Sequence, residues 1–174
     1  MTKPLDIMGL TAPGASLAKA GMEEVRQFIS FRVRDEEFAI DIMAVREIKG
    51  WTESTSLPNQ PEYLLGILNL RGTIVPIFDL RCRFGMGLTK ATSAHVVIIV
   101  SVLERTVGLL VDAVSDILTV QTSNIKPIPD MDRANGGSQF LSGIIAVNDS
   151  MVVLLSLESL FDKSAVAALP SMAA

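Results

Sequence analysis

The chain of 174 residues is poor in the side chains that carry chemistry. It holds one cysteine, one histidine, one tryptophan and one tyrosine. A single Cys82 excludes an intrachain disulfide and points to a reducing cytosol. Packing is the expected role for this thiol. The one histidine, His95, opens an apolar stretch and lacks a Cys, Ser or Asp at a spacing that would make it a base, so no chemical role is expected. Phosphate-cradling glycine loops are missing, since Gly85-Met86-Gly87 is too short to form one. His, Cys and carboxylate groups at metal-ligand spacing are missing too. Positive charge is scarce, with 15 Lys and Arg against 19 Asp and Glu, for a net charge of −4. That balance argues against nucleic acid as a partner. No apolar run approaches the roughly 18 residues of a membrane helix. Asp6, Gly9, Pro13 and Gly14 interrupt any signal-peptide core. No enzyme, cofactor or membrane insertion is expected, which leaves recognition by surfaces.

What the chain does have is β-type patterning over a 49% hydrophobic composition, enough for one domain or two small fused ones. Residues 1–24 lack periodicity and are expected to be a mobile tail. Folded structure is expected from 25 to 163, and residues 164–174 form a C-terminal tail. Val25 to Val33 and Phe38 to Ile42 read as a hairpin around a polar turn. A short alternating segment, Met43 to Gly50, leads to Trp51 and a Ser- and Pro-rich linker. A second hairpin runs from Gly66 to Arg81 and turns at Arg71-Gly72. Pro76 lacks a ladder donor, so its strand should be an edge or be bulged there. Asp79 is a candidate N-cap for a helical turn. His95 to Val102 and Thr106 to Val111 read as a hairpin whose apolar run Val96 to Val100 should be a buried central strand. Val114 to Val120 alternates again, and Asp130 to Ser138 reads as a polar loop. The last hairpin turns at Asn148-Asp149 and leads to a short helix, Leu155 to Phe161, with Ser156 as its cap.

The chain repeats itself. The 22 residues Tyr63 to Phe84 align without a gap on Phe140 to Phe161, at an offset of 77. Upstream, Phe38 to Ile48 aligns on Val107 to Ile117, at an offset of 69. Two copies, about 25–84 and 94–163, are too few for a solenoid. Two similar small barrels packed together fit better. Gly66 and Gly143 occupy matching positions ahead of the hairpins, where a bulge or a close backbone approach is expected.

The internal comparison singles out one residue. Asn69-Leu70-Arg71-Gly72 in the first copy corresponds to Ala146-Val147-Asn148-Asp149 in the second. The second copy shows that ordinary turn residues suffice. Arg71 is either a solvated turn residue or a cation set out to meet a partner. Glu47, on the neighbouring short segment, is the nearest candidate acid to orient it.

The runs Val45-Arg46-Glu47-Ile48-Lys49-Gly50, Gly66 to Gly72 with Ile74-Val75-Pro76-Ile77-Phe78-Asp79-Leu80-Arg81, and Val107 to Asp116 closely resemble the CheW family of chemotaxis coupling proteins. The resemblance covers about Val25 to Phe161. It implies an all-β fold of two interlocked five-stranded SH3-like barrels. It also implies a non-enzymatic, cytoplasmic adaptor without cofactor, recruited to membrane-associated arrays. Its partners would be the regulatory domain of the histidine kinase CheA and the cytoplasmic tips of methyl-accepting chemoreceptors. By match to the family, Glu47 and Arg71 form a linked pair beside the receptor groove. Val45, Asn69, Gly72 and Val97 match positions on or near binding surfaces, as do Gly108 and Val114. Lys49, Trp51 and the long N-terminal tail depart from the family pattern. A detached regulatory module of a kinase system acting outside motility is the alternative. A fusion to a receiver domain would need an added α/β domain that the chain does not contain.

Overall fold

Among the described residues, hairpin turns with left-handed backbone at Arg34, Arg71-Gly72, Leu103-Glu104 and Asn148-Asp149 join the strands. A computed structural model describes residues 24–129 and 140–161. Apart from Glu24, whose carbonyl accepts from the Thr122 N–H at 3.0 Å, the expected tails and the polar loop at 130–138 lie outside the described residues. Ten strands follow in order: β1 (Val25–Val33), β2 (Glu36–Asp41), β3 (Val45–Gly50), β4 (Leu64–Leu70), β5 (Thr73–Asp79), β6 (Val96–Val102), β7 (Arg105–Val111), β8 (Ala113–Gln121), β9 (Leu141–Val147) and β10 (Ser150–Leu155). Short helical turns at Leu80–Arg83 and Leu157–Leu160 follow β5 and β10. The second helix is shorter than expected because Leu155 completes β10. Asp79 and Ser156 cap these turns as expected, accepting from the backbone N–H of Arg81 and Ser159.

The strands form two five-stranded sheets. One has the order β8-β1-β2-β10-β9 and the other β3-β6-β7-β5-β4. Each sheet closes on itself through a single bridge. Past β3 the chain returns to β4, where Thr55 and Ile67 exchange backbone hydrogen bonds of 2.9 and 2.8 Å. Past β8 it returns to β9, where Lys126 and Ile144 do the same at 2.8 Å. We call the first sheet barrel 1 and the second barrel 2. Replacing each strand by its repeat counterpart turns one order into the other. The bulges also match: Arg46 and Ser115 are the extra residues in β3 and β8, and Leu65 and Ser142 in β4 and β9.

The two sequence copies do not each make a barrel. Barrel 1 takes β1 and β2 from the first copy and β8 to β10 from the second. Barrel 2 takes the complementary set, so the copies interlock. The joining ladders, β5 with β7 and β2 with β10, are parallel. Three apolar clusters result. Phe28, Ala39, Val120, Ile145, Val152 and Leu154 fill barrel 1. Val75, Ile77, Val97, Ile99 and Leu110 fill barrel 2. A larger cluster lies between the barrels, with Phe31, Phe38, Ile98, Val100, Phe78 and Phe161 among its members. Apolar faces on both sides of β6 make it the buried central strand expected from its composition.

Pro76 is tolerated by the register. It stands opposite Ile67, whose own backbone groups bond to Thr55, and pairing of β5 with β7 begins only at Ile77. The missing N–H therefore falls where no ladder partner waits. Gly66 and Gly143 flank the closing bridges. A Cβ at Gly66 would sit 2.3 Å from the Thr55 carbonyl oxygen, and one at Gly143 would sit 2.7 Å from Ile125 Cγ2. The close approach anticipated at both glycines is the barrel closure itself.

Candidate protein-binding site

At the tip of β4 and β5, Arg71 and Gly72 take φ of 52° and 88°, the two-residue turn that suits twisted hairpins. Gly72 meets this demand at no steric cost, whereas Arg71 bears strain on the order of 1 kcal/mol. Asn69 steadies the turn, its Oδ1 accepting from the Gly72 N–H at 2.9 Å. The turn then presents the Arg71 side chain, which is 74% exposed.

Arg71 is held there by Glu47. Its two terminal nitrogens donate to the two carboxylate oxygens, at 2.5 and 3.4 Å. β3 and β4 lie at opposite edges of the sheet, so only closure brings the two residues together. A bulge aims Glu47 at its partner. In a regular strand Val45 and Glu47 would share a face. With Arg46 as the extra residue, Val45 stands opposite Val100 of the between-barrel core and Glu47 opposite Ile99 of the barrel 2 interior. The hydrogen bond from Arg71 holds the Glu47 carboxyl below the usual glutamate range, and Glu47 in turn raises the guanidinium. Arg71 thus stands exposed with its guanidinium oriented by a half-buried carboxylate.

The expected residues divide into three groups. Glu47, Asn69, Arg71 and Gly72 converge on one tip of barrel 2. Val45 and Val114, equivalent positions of the two copies, are half-buried against the between-barrel core, on the seam where the barrels meet. Val97 and Gly108, expected on or near a binding surface, are buried and present no surface of their own. Val97 is 1% exposed inside barrel 2. Gly108 is buried against it, where a Cβ would approach Ile77 Cδ1 to 2.5 Å and Val97 Cγ1 to 2.9 Å. Gly108 is there because barrel 2 has no room for a side chain.

The sequence reading missed a polar cluster around Asp112. Its carboxylate accepts from Arg81 at 2.8 and 3.0 Å and from the Arg34 backbone N–H at 2.7 Å. His95 Nε2 lies 3.4 Å away. A lone acid between two strands, with no turn around it, was the signal in the sequence. Ile48, 42% exposed beside Glu47, and Met43, 79% exposed, were also not anticipated as surface residues. Burial pushes the Cys82 thiol up, with Asp79 and Glu62 adding to the effect, which disfavours the reactive thiolate. Among the described residues no group of three His, Cys, Asp or Glu could hold a metal ion, and no helix is long and apolar enough to cross a membrane.

The family model of the CheW-like domain matches residues 27–165. The chain belongs to the CheW-like family. It is 48% identical to the probable chemotaxis protein CheW of Rhizobium etli over 139 residues, 80% of this chain and 89% of that one. It is 35% identical to the chemotaxis protein CheW of Klebsiella aerogenes over 160 residues, 91% and 96% of the two chains. The crystal structure of the scaffolding protein TtCheW from Thermoanaerobacter tengcongensis superposes with a TM-score of 0.73 at 31% identity, covering 82% of this chain and 96% of that one. CheW relatives are named as chemotaxis and scaffolding proteins rather than enzymes. The family gives this chain a scaffolding role in chemotaxis.

Proposed function

We propose that the chain is a cytoplasmic adaptor that couples chemoreceptor tips to the regulatory domain of CheA within signalling arrays. The observation that carries this reading is the Glu47–Arg71 pair, held exposed and oriented at one tip of barrel 2, where the equivalent turn of barrel 1 has Asn148-Asp149. An arginine with its charge aimed and its methylenes accessible is a common anchor for a protein partner. Val45 and Val114 add apolar surface along the seam, with Asn69 and Gly72 shaping the turn. Val97 and Gly108 support this surface from inside the barrel. The adaptor acts by position alone, and recruitment to membrane-associated arrays comes through its partners. The test is reconstitution from purified CheA and receptor cytoplasmic fragments. Adding the chain should raise receptor-dependent kinase autophosphorylation and bring kinase and receptor into one sedimenting complex. Kinase activity that ignores the chain, with no co-sedimentation, would refute the reading.

A further inference from the structure

We propose that Asp112 is a positioning residue that holds the two barrels at one angle, and with it the shape of the seam lined by Val45 and Val114. Among the described residues the chain passes between the barrels twice. It goes from β2 to β3 through the 3-10 turn Ile42–Ala44, and from β7 to β8 through Asp112 alone. At this second crossing Asp112 gathers groups from both sides. From barrel 1, the Arg34 backbone N–H donates to its carboxylate at 2.7 Å, and its own N–H donates to the Arg32 carbonyl at 2.9 Å. From barrel 2, Arg81 follows β5 and donates to both carboxylate oxygens. His95 precedes β6. Its Nδ1 accepts from the Thr92 backbone N–H at 3.0 Å, which leaves the proton on Nε2, the nitrogen facing Asp112. The Asp112 and Arg81 side chains are 19% and 25% exposed, so solvent screens them only in part.

The apolar cluster between the barrels holds them together, but hydrophobic contact is non-directional. Charge-assisted bonds set an orientation. The repeat again separates scaffold from addition. The counterpart of Asp112 at offset 69 is Met43, which is 79% exposed and joins no such cluster. At that crossing Asp41 bonds to Met43 N–H and Arg26 instead, without reaching barrel 2. The fold therefore does not demand an acid at a crossing. Val114 lies two residues beyond Asp112, so a change in the crossing reaches the seam directly.

The consequence for binding rests on the reading of the seam as a partner surface, whereas the barrel angle does not. The experiment measures both. Spin labels at Thr106→Cys in barrel 2 and Met151→Cys in barrel 1, in a Cys82→Ser background, report the inter-barrel distance distribution. Affinity for a receptor-tip fragment is measured on unlabelled protein. Asp112→Asn keeps an acceptor for Arg34 but removes the charge that holds Arg81. It should broaden or displace the distribution and weaken binding by about tenfold. Val102→Ala, a destabilising change inside the between-barrel core, should leave the distribution narrow and the affinity intact. Arg81→Gln should behave like Asp112→Asn and serves in its place if Asp112→Asn fails to fold. A parent-like distribution in these variants, whatever their affinity, overturns the positioning role. A broadened distribution with unchanged affinity upholds the lock and overturns the seam reading instead.

Discussion

Barrel 1 and barrel 2 share strand order, bulges and closing bridges, yet the edges of barrel 2 are also joined by a side-chain pair. In barrel 1 the position of Glu47 is taken by Asp116, which turns to the Ile117 backbone N–H at 2.7 Å. The position of Arg71 is taken by Asn148, with φ of 45°. Both turns have the same left-handed geometry, so the backbone places the same demand on each. Asn meets that demand more easily than Arg does. The difference teaches that the duplicated frame supplies a place, and that barrel 2 alone has filled that place with an aimed cation. Trp51 marks a second difference. It packs on the interior of barrel 2 where barrel 1 has Val120, and it borders an open groove of about 530 Å³ shared with Glu53, Leu65 and Ala91.

The largest expected effect tests whether the two closures are equally tight. Gly66→Ala drives a Cβ against a backbone oxygen that cannot move without breaking the Thr55 bridge. A loss of about 3 kcal/mol or more in urea denaturation is expected. Gly143→Ala places its Cβ 2.7 Å from Ile125 Cγ2 but no nearer than 3.2 Å to the Lys126 carbonyl oxygen, so the sharper clash is with a side chain and the loss should be smaller, about 2 kcal/mol. Equal losses would show that the bridges of the two barrels are interchangeable.

Binding gives the next effect. Arg71→Ala should leave the melting temperature nearly unchanged and weaken binding to a receptor-tip fragment by about tenfold. Asn148→Ala at the equivalent turn should leave binding alone. Glu47→Ala should resemble Arg71→Ala, and the double variant should be less than additive by titration calorimetry. If Arg71→Ala and Asn148→Ala bind alike, the asymmetry of the barrels has no bearing on recognition.

A smaller signal comes from Trp51, the one tryptophan. Its emission should shift when a receptor-tip fragment docks beside the β3 edge. A flat titration with binding confirmed by other means would place the partner away from this groove.

The smallest effect is electrostatic. The folded pKa of Glu47 is depressed by the hydrogen bond from Arg71, so the pair contributes above the unfolded carboxylate pKa and is lost as pH falls through the lowered value. Carboxyl-carbon NMR should place the Glu47 midpoint below the ordinary 4.5 and return it toward 4.5 in Arg71→Ala. An unmoved midpoint would mean that the pair does not persist in solution.

Much of this was legible because it is local. Strand alternation, hairpin turns, the Asp79 and Ser156 caps and the 69- and 77-residue repeats depend on neighbours in sequence. Arg71 stood out for the same reason, since it breaks local turn chemistry at a position where the repeat obeys it. The burial of Val97 and Gly108 was not legible. Both sit on apolar strands whose two faces look alike, and one face fills barrel 2 while the other fills the space between barrels. The role of His95 and Asp112 was hidden because their cluster draws on four segments far apart in the chain, 32–34, 81, 92–95 and 112.

By itself the sequence determined that the chain is a duplicated β unit of hairpins, poor in chemistry, with one cation out of place. Residue-level periodicity and the menu of turns carry that much. Only the tertiary structure decided that each barrel borrows strands from the other copy, through parallel ladders between strands far apart in the chain. It also decided that Glu47 meets Arg71. These residues sit on opposite edges of one sheet, and no spacing along the chain encodes the curvature that closes it. Asp112 follows the same rule: its place between two strands is written in the sequence, while its grip on both barrels exists only once they are packed.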